Sequence, residues 1–147
     1  MKIYKYSLVR EKVVAEFDGR TSLKSPDIVF QLLQQFYKKV EGEEKEYAVV
    51  IHLDTKLKPL SLDIISIGSH QDAPVHPMQV FRKAVISGAS SIIFAHNHPS
   101  GDLTPSKEDI DCSSVLAQSG ELLGITLIDS IIISGEKYLS LKQEKLI

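Results

Sequence analysis

Apolar and polar positions change their period several times along the chain, and each change predicts an element. Between Met1 and Phe17 an alternation through Tyr4, Tyr6 and Leu8, followed by Val13 and Val14, predicts one or two short strands. Ser25-Pro26-Asp27 has the composition of a helix start, with Ser25 as N-cap and Pro26 at the first helical position. Behind it Ile28, Val29, Leu32, Leu33 and Phe36 recur at helical spacing, which predicts a helix ending near Val40. The charged run Glu41-Gly42-Glu43-Glu44-Lys45-Glu46 interrupts this pattern and marks the chain's one plausible boundary. Residues 1–40 therefore read as an N-terminal strand and helix extension packed on a core built from 41–147.

From Tyr47 to Leu53 the chain is almost continuously apolar and β-branched, as expected of a strand with both faces covered. A second strand is predicted over Ser61 to Ile67, stopped by Gly68. Pro77 opens a second helix, with Val80, Phe81, Ala84 and Val85 on one face. Ser91 to Ala95 reads as a short buried strand that delivers the chain into His96. After a loop from Pro99 to Pro105, Ser106 begins a third helix reaching Gly120 or Gly124, and Ile125 to Ser134 closes the pattern as a strand. Helices alternating with strands predict an α/β chain of the α+β kind, a sandwich in which helices flank a central mixed sheet.

Composition narrows the picture without naming a function. The 147 residues, 43 % of them hydrophobic, fit one domain with a real core. A formal net charge of −2 disfavours a basic surface built to grip phosphate backbones. The single cysteine, Cys112, cannot form an internal disulfide, and no apolar leader follows Met1, so a reducing cytoplasmic setting is expected. No run approaches the roughly 18 apolar residues that span a bilayer. A homodimer is left open, because a strand such as Met1 to Leu8 could pair with a second chain.

The chemistry concentrates in His96-Asn97-His98-Pro99-Ser100-Gly101-Asp102-Leu103-Thr104-Pro105-Ser106-Lys107-Glu108-Asp109. Histidines at i and i+2 of an extended chain point to one side, so both imidazoles can reach a single ion. The Pro- and Gly-bearing loop can then bring Asp109, in the first turn of the next helix, to the same ion. Two imidazoles and one carboxylate leave a fourth tetrahedral position open, the mark of a catalytic zinc. Ser106-x-x-Asp109 is equally a helix capping box, and the two roles are compatible because a cap fixes where Asp109 points.

His96-x-His98 with Ser106 and Asp109 at this spacing resembles the JAMM metalloprotease pattern. The fuller text resembles the RadC branch of that superfamily from about Glu46 onward, with Val75-His76-Pro77, Phe81 to Ala84, Gly120-Glu121-Leu122-Leu123-Gly124 and Asp129 also fitting. The resemblance implies a JAMM or cytidine-deaminase-like sandwich, one Zn2+ per chain on His96, His98 and Asp109, and an upstream glutamate as general base. Glu41, Glu43, Glu44 and Glu46 are the candidates, and Glu46 is chosen because it directly precedes the Tyr47 strand. It also implies a Ser106 hydroxyl donating to the oxyanion, and a peptide or protein-conjugate amide as substrate. Where RadC proteins carry Arg-Glu and a late His, this chain has Met78-Gln79 and Ser130, departures expected to bear on substrate or partner contacts. The helix-hairpin-helix region often found ahead of this domain has no counterpart in the sequence.

Rival readings are an Fe(II) oxygenase on the same ligands, a DNA-repair-associated accessory protein, and a scaffold with an unused zinc site. Of the remaining residues, His52 is expected in the core or at an edge. His70 and His76 are expected at the surface or in a cap, and Cys112 as a small buried apolar residue. Asp102 and Asp111 are expected as loop and helix-surface carboxylates. Asn97 should point away from the histidine pair and bond to backbone.

Overall fold

The computed structural model describes residues 21–39, 45–68 and 75–147. The strands expected from Met1 to Phe17, the boundary at 40–41, Glu41, Glu43, Glu44 and His70 lie outside the described residues. So does the Met1 to Leu8 pairing edge.

The element order is α1 (Pro26–Tyr37), β1 (Tyr47–Leu53), β2 (Pro59–Ile67), α2 (Pro77–Ser87), β3 (Ser91–Asn97), α3 (Lys107–Leu123), β4 (Thr126–Ser134) and β5 (Lys137–Ser140). The five strands form one mixed sheet in the order β2-β1-β3-β4-β5. β3 and β4 are parallel and the other neighbours antiparallel. The parallel pair needs a crossover, and α3 supplies it.

Period-two alternation divides the core into two layers. Val49, Ile51 and Leu53 of β1, with Ile93 and Ala95 of β3, face Val29, Leu32, Leu33 and Phe36 of α1. Ala48 and Val50, with Ile92 and Phe94, face the other way against Val80, Phe81 and Ala84 of α2 and Leu116 of α3. A strand covered on both faces has no polar side to show, which is why every residue of β1 is buried.

Several boundaries differ from expectation. Ser25 is the N-cap of α1 but makes no side-chain cap bond, and the helix stops at Tyr37 rather than near Val40. β2 starts earlier, at Pro59, which an edge strand tolerates because a missing N–H there faces no neighbour. β3 runs on to Asn97, so His96 sits inside the ladder rather than after it. β5 was not expected; it follows the tight turn at Gly135, whose φ is +56°. Gly120 is required by close packing, since a Cβ there would lie 2.3 Å from the Ile125 carbonyl oxygen.

Candidate metal centre

On β3, Ile92, Phe94 and His96 share the face that looks toward α3, and His98 follows with the same parity. The extension of β3 is what aims His96: its Cα pairs with Ala48 on one side and Ile132 on the other. His98 is held by main-chain contacts to β4, its N–H donating to Ile133 O at 2.7 Å and its carbonyl accepting from Ser134 Oγ at 2.8 Å.

Asp109 reaches the same point from α3. Ser106 is the N-cap, and the capping box is complete: Ser106 Oγ accepts from Asp109 N–H at 3.1 Å, and Asp109 Oδ2 accepts from Ser106 N–H at 2.7 Å. Ser106 Oγ–H also donates to Asp109 Oδ2 at 2.7 Å. That hydroxyl hydrogen is engaged with the carboxylate rather than aimed at open space.

The structure thus brings His96, His98 and Asp109 together. The two Nε2 atoms are 3.0 Å apart, His96 Nε2 lies 3.1 Å from Asp109 Oδ1, and His98 Nε2 lies 3.6 Å from Asp109 Oδ2. Ligands at 2.0–2.1 Å from a tetrahedral zinc stand about 3.3 Å from one another, and these separations, the two from Asp109 running to different oxygens, bracket that spacing. The protonation pattern agrees. His98 Nδ1–H donates to Asp102 O at 2.7 Å, so in the neutral imidazole the Nε2 lone pair faces the site. Asp102 contributes through that carbonyl and not through its carboxylate.

Burial works against the Asp109 charge. Hydrogen bonds from His96, His98 and Ser106 outweigh it and hold the carboxyl well below the usual carboxylate range. The Asp109 hydrogen bond, against the opposing effect of burial, raises the His98 pKa in the metal-free chain. Glu46 stands at the entrance to β1, and its carboxylate lies within 4.8 Å of the ring nitrogens of His96 and His98. Of the four glutamates in the charged run, it is the one within the described residues.

Two hollows flank the centre. One, of about 590 Å³, is lined by Tyr37, Tyr47, Asn97, His98 and Gly135. The other, of about 310 Å³, is lined by Val75, Phe94, Asp109, Cys112 and Val115. Burial and the nearby Asp109 charge push the Cys112 thiol up to about 11, so it stays neutral near pH 7 and is no nucleophile there.

The departures from the RadC pattern have structural explanations. His76 is the N-cap of α2, its Nδ1 accepting from Met78 N–H, and Gln79 completes that capping box. Ser130 is fully buried, its Oγ 2.8 Å from Ser113 Oγ, which in turn donates to the Asp109 carbonyl. With Ser130 fully buried, its hydroxyl does not face solvent. It ties β4 to the helix that carries Asp109 instead.

A family profile described as a RadC-like JAB domain matches residues 23–146. The chain belongs to this family. The match begins well before Glu46, taking in α1 as well as the sheet. Similar proteins include a UPF0758 protein of Methanosarcina mazei, 39 % identical over 95 % of this chain and 59 % of that protein. A UPF0758 protein of Carboxydothermus hydrogenoformans is 42 % identical over 88 % of this chain and 56 % of its own length. One of Bacillus cereus is 38 % identical over 95 % and 60 % respectively. The RadC-like chain thus spans less than two-thirds of these relatives. Among its described residues, no helix is long and apolar enough to cross a membrane.

Proposed function

We infer that this RadC-like domain is a zinc-dependent hydrolase of peptide or isopeptide amides. The observation that carries the reading is the convergence of His96, His98 and Asp109 at the spacing of a tetrahedral ion's ligands, with Glu46 beside them. The donor set suits zinc, and the ion would supply Lewis acidity, activating water and polarising the amide carbonyl.

The chain's own residues do the rest. Glu46 takes the proton from the attacking water and passes it to the departing amine, the work of a general base and then acid. Asp109, held by the Ser106 N–H and hydroxyl, and the lone pairs of His96 and His98 would hold the ion. Ser106 fixes Asp109; a hydrogen bond from its hydroxyl to a developing oxyanion requires that hydrogen to leave Asp109 Oδ2. The two hollows give a substrate room on either side of the scissile bond.

The test uses zinc-loaded protein with a mixed peptide library and lysine-conjugated peptides, reading released amines. The parent should release them, and Glu46→Gln should be slower by about 100-fold or more while keeping its zinc. A Glu46→Gln variant cleaving at the parent's rate removes Glu46 from the reaction. A parent that binds no zinc ends the reading.

A further inference from the structure

The ladder between β1 and β3 ends at Ala48 and His96. One step further, Tyr47 would need a partner on β3, but the Asn97 main chain continues along β4 instead, paired with Ile133. The Asn97 side chain fills the gap. Its Oδ1 accepts from Tyr47 N–H at 2.7 Å, and its Nδ2 donates to Lys45 O at 2.9 Å. Those two groups belong to the residues immediately before and after Glu46. The Glu46 carbonyl is itself held from the far side, accepting from Gly68 N–H at 2.9 Å.

One side-chain amide therefore brackets Glu46 from both sides, and it comes from the residue between the two imidazoles that meet at the centre. We propose that Asn97 is the positioning residue that fixes Glu46 relative to His96 and His98. It is not a catalytic residue, because it acts through the backbone around Glu46. The geometry assigns it a task that an apolar residue cannot do: an amide offers one acceptor and one donor in a fixed plane, matched to one N–H and one C=O. Without it, the Tyr47 N–H and the Lys45 carbonyl on either side of Glu46 lose these bonds, and the carboxylate loses its register with His96 and His98. Shifts of about 1 Å in such a group are enough to cost large factors in function.

This inference rests on the reading of Glu46 as the proton acceptor at the centre, and the experiment separates the two. The probe is acetohydroxamate, which binds a zinc ion through its oxygens and gives a hydrogen bond to a neighbouring carboxylate. Its affinity is measured by calorimetry for the zinc-loaded parent, Glu46→Gln, Asn97→Ala, the double variant and Asn97→Asp, with zinc content determined on each. Glu46→Gln and Asn97→Ala should each weaken the probe about tenfold, the value of one hydrogen bond to a charged group, with zinc content unchanged. The double variant should be no weaker than Glu46→Gln alone, because a positioning residue has nothing left to position. Asn97→Asp, which keeps the acceptor for Tyr47 N–H but turns an oxygen toward the Lys45 carbonyl, should weaken the probe at least as much as Asn97→Ala, and that loss too should disappear in a Glu46→Gln background.

If Asn97→Ala binds at the parent's affinity, or if the two losses multiply in the double variant, the positioning role is overturned while Glu46 keeps its own. If Glu46→Gln binds at the parent's affinity, the reading of Glu46 itself fails and the inference with it. Should Asn97→Ala not fold or not load zinc, Asn97→Asp decides by the same criterion: parent-like affinity overturns the role, and a loss that disappears in a Glu46→Gln background supports it.

Discussion

Two fully buried histidines sit on one face of the same sheet, each within reach of a carboxylate, and only one of them belongs to the candidate metal centre. His52 of β1 has its Nδ1 2.8 Å from Ser61 Oγ and 3.3 Å from Asp63 Oδ2, both on the edge strand β2. Asp63 is in turn paired with Lys83 of α2. His96 of β3 meets Asp109 at a similar distance, 3.1 Å, but also meets a second imidazole, with Glu46 close by. In the His52 cluster one ring nitrogen meets a hydroxyl and a carboxylate, and that carboxylate is offset by an ammonium. The His96 cluster aims two imidazole nitrogens and a carboxylate at a common point. A buried histidine–carboxylate pair is thus weak evidence of a site. Convergence of several electron-pair donors is the stronger sign.

The largest effect that could break this contrast is removal of a ligand charge. Asp109→Asn keeps size and much of the cap but lowers the negative charge facing the ion. Zinc after desalting should fall from about one per chain to under about a tenth, because a neutral amide oxygen is a poor replacement for a carboxylate. Elemental analysis checks it, and full retention of zinc would show that the ion, if bound, is held elsewhere.

Removing His52 should do the reverse. His52→Ala opens a cavity under β1 and leaves Asp63 facing it, which should lower stability by about 2–4 kcal/mol in urea unfolding. Zinc content should not change. A His52 variant that lost its metal at unchanged stability would erase the distinction between the two clusters.

Between these lies Ser106. Ser106→Ala removes a cap and a hydrogen bond to Asp109 together, so about 1 kcal/mol of stability and about tenfold in zinc affinity should go at once. Both follow from the bonds in place. If zinc affinity held steady while catalysis fell, the Ser106 hydroxyl would be acting on the substrate rather than on Asp109.

How much of this was legible beforehand depends on whether the signal was local. Pro26 and Pro77 at helix starts, the almost continuously apolar run of β1 and the Ser106–Asp109 capping box are short-range patterns, and the structure shows all of them. The parity of His96 and His98 was equally readable, because period two holds wherever the chain is extended. What was lost was decided by neighbours. β3 continues through His96 because β1 and β4 flank it, which no window of the sequence contains. The role of Asn97 depends on residues some fifty positions away, Lys45 and Tyr47. For Ser130 the sequence offered a polar residue where the family has a His, and only the packing of α3 against β4 shows that it faces the interior. β5 carries a local signal as well, the Ser134-Gly135 dipeptide ahead of Tyr138 and Leu139, but at four residues it is too short for its period to stand out.

The smallest effect is also the most discriminating, because it asks the two clusters to respond to protons. Burial lowers the His52 pKa below the ordinary imidazole value, with Asp63 opposing and Lys83 assisting. In the unfolded chain His52 takes its proton near pH ~6.5, while the folded chain resists to lower pH. The unfolded state therefore binds more protons in that window, and His52 makes the fold less stable as pH falls from about 7, by at most ~1.4 kcal/mol per pH unit. His98 has the opposite sign in the metal-free chain. Its pKa is raised by Asp109, so its contribution is fully present below the unfolded value and is lost as pH rises through the folded one. Zinc reverses that sign, since His98 must shed the ion before it can take a proton there. Urea unfolding from pH 5 to 8 should accordingly show a rising slope below pH ~6.5 and a falling one above it without metal, and two reinforcing rising slopes with it. His52→Ala should flatten only its own share in both series. If added zinc leaves the profile of the metal-free protein unchanged, the histidine pair on β3 is as self-contained as His52, and the contrast between the two clusters disappears.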